Sequence, residues 1–120
     1  MADYRLSHSA ERDIERILAD SLETWGAEAS RRYAGLLVDA MRRVAADPDG
    51  RSTRDRSDLF RGTRSFHTRH TRRQNPKAAV KKPVHVLIYR KVGPSLIEVV
   101  RILHERMDPT RHLEPVPGGE

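Results

Sequence analysis

A pair of apolar stripes separated by a single glycine constrains this chain most strongly. Ala10, Ile14, Ile17, Leu18, Leu22 and Trp25 recur at i, i+4, i+7, i+8, i+12 and i+15, the spacing of one helical face, and Gly26 ends the run. Ala29, Tyr33, Leu36, Leu37, Ala40, Met41 and Val44 then repeat the pattern up to Asp47-Pro48-Asp49-Gly50, a turn signature. So short a link forces the two helices into an antiparallel hairpin whose stripes face a common surface. Ahead of it, Asp3-Tyr4-Arg5-Leu6 alternates like a short strand. Ser9 is a candidate N-cap, and Glu11 and Asp13 sit where negative charge suits the helix dipole.

The partner layer for those stripes lies in the second half. Phe60 to Thr68 reads as a strand with Phe60, Gly62, Arg64, Phe66 and Thr68 on alternate positions. "VHVLIYR" (84–90), a "KVGPS" turn and "LIEVVRIL" (96–103) read as a β-hairpin with apolar residues on both faces, as in central strands. Residues 51–59 are polar and carry no pattern, and 67–83 read as an extended basic loop. The expected order is β-α-α-β-β-β. It implies an α+β domain over residues 1–113, an antiparallel sheet packed against the N-terminal helical hairpin, and a flexible tail at 114–120.

With 120 residues the chain has room for one core, and 37% apolar against 33% charged residues requires a heavily solvated surface. The absence of cysteine excludes disulfides, thiolate nucleophiles and Cys-based zinc sites. No apolar run suits a membrane span or a signal peptide, so a cytoplasmic protein with no membrane role is expected. The net charge of +6 is unevenly spread: Arg51 to Pro83 holds eleven Lys or Arg against two Asp, a local +9. Such a block points to an acidic partner, either nucleic acid or protein.

Several stretches carry a family resemblance. "YRLSHSAERDIERI" resembles the opening strand and helix of the ParE branch of the ParE/RelE toxin superfamily, and "ETWGAEASRRYAGLL" its Trp-Gly helix junction. "ADPDGR" resembles its hairpin-closing turn, "LFRGTRSF" its second strand, and "VLIYR" with "IEVVRILHERMD" its last two strands. The loop at 67–83 departs from the family by being longer and more basic. The resemblance implies the toxin of a type II toxin–antitoxin module. It would bind a ParD-like antitoxin in a hetero-oligomer and act on DNA gyrase without cofactor or chemistry of its own. The RelE branch implies the alternative, a ribosome-dependent mRNA endonuclease.

Metal-free RNA cleavage needs a base, an acid and cations for the phosphate, and His104, Arg101, Arg106, Arg64 and Tyr89 are the residues that could supply them, with His85 the other imidazole on a strand. The plainer reading has His104 bonding a carbonyl at a strand end and Tyr89 in the core. After His112 the chain offers no Lys, Arg or Tyr, which argues against a RelE-type nuclease. His67/His70 and His104/His112 lack helical His-x3-His spacing and an acidic triad, so no metal site is expected. Arg64, Arg69, Arg72, Arg73, Arg101, His104 and Arg106 are therefore expected to meet the target. Arg69, Arg72 and Arg73, with Lys77, Lys81 and Lys82, could also contact nucleic-acid phosphates through the 67–83 loop. Few aromatics accompany them, so base stacking is not expected. Tyr33, Leu36, Leu37 and Met41 could line a groove for an antitoxin helix, unless they are simply core.

Overall fold

A computed structural model describes residues 2–71 and 79–113. Strand β1 (Asp3–Leu6) leads into helix α1 (His8–Trp25), which Gly26 separates from α2 (Ala27–Ala46). Strands β2 (Thr53–Asp55), β3 (Thr63–His67), β4 (His85–Gly93) and β5 (Leu96–His104) follow, and a short helix α3 (Pro109–His112) closes the described chain. No described helix is long and apolar enough to cross a membrane.

Local chemistry accounts for the boundaries. Ser7, not Ser9, caps α1: its hydroxyl oxygen accepts from the Ala10 amide at 3.0 Å and its hydrogen goes to the Val100 carbonyl at 2.7 Å. Gly26 joins the helices at φ 94°, a conformation that costs a side-chain-bearing residue backbone strain, and its amide satisfies the Leu22 carbonyl. Ser30 Oγ then donates to the Leu18 carbonyl at 3.0 Å, tying the second helix to the first.

The sheet has the order β1-β5-β4-β3-β2. Two features differ from the sequence reading. The first is β2, which lies in the stretch read as unpatterned; it pairs antiparallel with β3 as a three-residue edge, too short and polar to show a period. The second is β1, which pairs parallel with β5, so the sheet is mixed rather than wholly antiparallel. The helical hairpin, not a tight turn, follows β1, so nothing local obliges it to run antiparallel to a neighbour. The β4–β5 hairpin forms as read, with Gly93 opposite Leu96 and register shifts at Ile88/Tyr89 and Lys91/Gly93.

The hairpin covers one face of this sheet. Leu37, Ala40, Met41 and Val44 of α2 and Ala10 of α1 are buried with Phe66, Leu87, Tyr89, Ile97, Val99 and Ile102. Leu87 lies opposite both Phe66 and Ile102, and Tyr89 opposite Val99, so the strand register stacks the apolar face.

Candidate functional site

Polar chemistry gathers where β3, β4 and β5 meet at one end of the sheet. His67 ends β3, His85 begins β4 and His104 ends β5, and His85 and His104 are register partners. The His85 and His104 rings stand edge to face with centroids 5.6 Å apart. Tyr33 of α2 also stands edge to face with His85, with ring centroids 5.3 Å apart, and its hydroxyl is hydrogen-bonded to His85 Nδ1. The same oxygen accepts from the Val84 amide at 3.2 Å.

The neighbouring donors assign the imidazole tautomers. Nδ1 of His67 accepts from the Arg69 amide at 3.0 Å, and Nδ1 of His104 from the Arg106 amide at 3.1 Å. In both of these rings the neutral form therefore carries its proton on Nε2, while Nδ1 of His85 is engaged by the Tyr33 hydroxyl. His67 Nε2 donates its proton to Glu105 at 2.7 Å, which holds the exposed Glu105 carboxyl below the usual range. Burial, with the neighbouring His104 and His67, pushes His85 down to about 4 from its ordinary 6.5, so it is neutral at pH 7. Burial likewise raises the Tyr33 phenol. With every Nδ1 engaged, this arrangement is poor for metal binding, and among the described residues no three His, Asp or Glu groups converge on an ion.

A second polar knot pins α1 to β5. Asp13 is buried, and its Oδ2 accepts from the Ile102 amide at 2.9 Å and from Arg101 Nε at 2.7 Å, while Oδ1 accepts from Arg101 Nη2 at 2.9 Å. Arg101 Nη1 donates to the His112 carbonyl. Strand β1 stops at Leu6, so beyond it Ser7 and Asp13 satisfy the β5 backbone that β1 no longer reaches.

The five residues considered for catalysis do not form one site. Arg64 and Tyr89 are register partners beneath the α2–β2 turn, where Arg64 Nη2 donates to Thr53 Oγ1 at 2.8 Å and Nε pairs with Asp49 at 3.5 Å. The Tyr89 hydroxyl donates to the Pro48 carbonyl at 2.5 Å, and burial raises the phenol. Arg101 is held by Asp13. His104 and the exposed Arg106 lie at the imidazole end, four residues along β4 from Tyr89, which is roughly 13 Å of strand. Of the other expected target contacts, Arg69 is exposed just past His67, whereas Arg72 and Arg73, like the loop's phosphate-contact candidate Lys77, lie outside the described residues. So do the middle of the 67–83 loop and the 114–120 tail.

The residues expected to line an antitoxin groove are mostly core. Leu36, Leu37 and Met41 of α2 are buried, and Tyr33 is engaged with His85 and Val84. The exposed apolar surface of the hairpin is instead its tip, where Leu22 is 53% and Trp25 76% exposed. Sequence reasoning read Asp13 as a helix-dipole charge, whereas only Glu11 lies in the first turn and Asp13 is bonded to β5; it also missed the joining of His67 to Glu105. Asp13 did leave a signal, since a carboxylate between Ala10 and Ile14 falls beside the apolar stripe. A histidine within or at the end of each of three strand segments was the corresponding clue to the imidazole row.

The described chain is thus an α+β domain, a two-helix hairpin on a five-stranded sheet. A solved structure described as the chromosomal ParDE TA system from P. aeruginosa shares it with TM-score 0.64 over 87% of this chain and 96% of that one, at 14% identity. Residues 4–109 match the family model for the ParE toxin of the type II toxin–antitoxin system, parDE, and the chain belongs to that family. It is 32% identical to Toxin ParE1 of Mycobacterium tuberculosis over 92% of this chain and 96% of that protein. It is also 32% identical to Toxin ParE of Escherichia coli, over 90% and 89% respectively.

Proposed function

We propose that this ParE-family toxin acts in the cytoplasm by inhibiting DNA gyrase through protein–protein contact, and that a ParD-like antitoxin neutralises it in a hetero-oligomer. The family match over residues 4–109 carries this reading. The dispersal of the would-be catalytic residues supports a mode of action without chemistry: Arg101 is committed to Asp13, and Tyr89 and Arg64 to the α2–β2 turn. Exposed cations at the imidazole end, Arg69 and Arg106 with His104 beside them, offer a face for an acidic target or an acidic antitoxin segment, and Arg72 and Arg73 adjoin Arg69 in sequence. Direct phosphate contact through residues 67–83 would show as salt-sensitive binding to DNA by the free toxin, lost when Arg69, Arg72 and Arg73 become Ala.

The deciding measurement is supercoiling by purified gyrase with added toxin. Inhibition, with or without trapped cleavage complexes, is expected, and neither effect at toxin excess over gyrase overturns the reading. The mRNA-endonuclease alternative instead predicts new 5′ ends in primer extension on translated message.

A further inference from the structure

We propose that the imidazoles at the ends of β3, β4 and β5 form an acid-sensitive clasp on both roots of the basic segment 67–83. The outgoing root is the single 3-10 turn Thr68–His70. Thr68 Oγ1 donates to the His85 carbonyl at 2.8 Å, Arg43 Nη1 to the His70 carbonyl at 2.9 Å, and His67 is paired with Glu105. The returning root is Val84, whose amide goes to Tyr33 and whose carbonyl accepts from the Glu105 amide at 2.7 Å. Both roots therefore depend on His85: one holds its backbone carbonyl, and the other is joined to its ring through the Tyr33 hydroxyl.

That junction works with a neutral imidazole. Protonating His85 turns its Nδ1 into a donor toward Tyr33 and sets a partly buried cation against two more imidazoles, His104 and His67. The groups facing His85 are Tyr33 from α2, Thr68 from the 3-10 turn, His67 from β3, His104 and Glu105 at the end of β5, and Asp13 from α1. Only the two carboxylates favour a charged His85, and each already serves a cationic or imidazole partner, Glu105 with His67 and Asp13 with Arg101. Burial and the imidazoles prevail, so the closed clasp keeps His85 neutral down to about 4, whereas a solvated His85 takes its proton near 6.5. Between those values only the opened form binds the extra proton. Opening therefore becomes easier as pH falls, by about tenfold per pH unit for one proton, and the closed clasp is favoured most above 6.5.

Amide exchange of the full chain followed by NMR from pH 7.5 to 4.5, corrected for intrinsic rates, tests this. Protection at the Val84 and Glu105 amides is expected to fall about tenfold per unit below the 6.5 of a free imidazole, while α1 and α2 amides keep theirs. His85→Gln retains an acceptor for Tyr33 and has nothing to titrate, so its root protection should be flat with pH. Wild-type roots that track the helical amides, or an unchanged slope in His85→Gln, overturn the proposal. Should His85→Gln not fold, the wild-type ring resonances decide: a His85 midpoint below 5 supports the clasp, and one of 5 or above overturns it.

Discussion

The first half of α1 and its second half carry the same apolar spacing and end in different surroundings. Ala10 is fully buried and Asp13 nearly so, bonded to the β5 edge, whereas Leu22 and Trp25 stand in solvent at the tip. Helical periodicity states which residues share a face, but the extent of the opposing layer decides how much of that face is covered. Here the sheet lies under the start of α1, and the contacts of its end are with α2, as in the Ser30–Leu18 bond. The same helix thus combines an anchored half, where polar side chains complete a strand edge, with a half whose largest apolar residue is left free.

Asp13→Ala should be the most damaging change in the comparison, because it leaves Arg101 and the Ile102 amide without their shared acceptor in a largely buried setting. A loss of about 3–5 kcal/mol is expected in denaturant unfolding. Asp13→Ala with Arg101→Ala should lose less than the sum of the two single changes, since each single change strands the partner. Additive losses would show that the two residues act separately and that the anchored half of α1 is held by apolar packing alone.

The anchored half also shows what could be read from the chain and what could not. Both helices, the β4–β5 hairpin and the α+β arrangement were legible because each rests on local periodicity or a turn signature, as with Val44 followed by Asp47-Pro48-Asp49-Gly50. The parallel pairing of β1, the three-residue β2 and the Asp13–Arg101 knot were not. Asp13 and Arg101 lie 88 positions apart, and no spacing rule joins them. For the candidate site, the sequence singled out His85 and His104 as strand imidazoles, and the structure adds that they are cross-strand partners with Tyr33 edge to face against His85. It read Leu36, Leu37 and Met41 as a stripe, but a stripe does not say whether a groove or a sheet lies against it. Periodicity likewise placed Trp25 with Ala10, and only the footprint of the sheet separates them.

The junction between the tip and α2 should respond to backbone strain alone. A Cβ at Gly26 would meet nothing within 4 Å, so Gly26→Ala introduces no clash and tests only the cost of φ 94°. A loss of about 1–3 kcal/mol in thermal or denaturant unfolding is expected. A neutral result would mean that the joint relaxes without cost and that the hairpin geometry does not depend on this conformation.

At the exposed tip the smallest effect is expected. Trp25→Ser removes the largest apolar side chain of α1, yet at 76% exposure it gives up little burial on folding. Its unfolding free energy should stay within about 0.5 kcal/mol of wild type, as for surface changes away from caps and cores. Leu22→Ser, at 53% exposure, should cost slightly more because Leu22 retains more contact with its neighbours. A loss above about 2 kcal/mol for Trp25→Ser would place its ring in packing that its exposure contradicts, and would erase the contrast between the two halves of the helix.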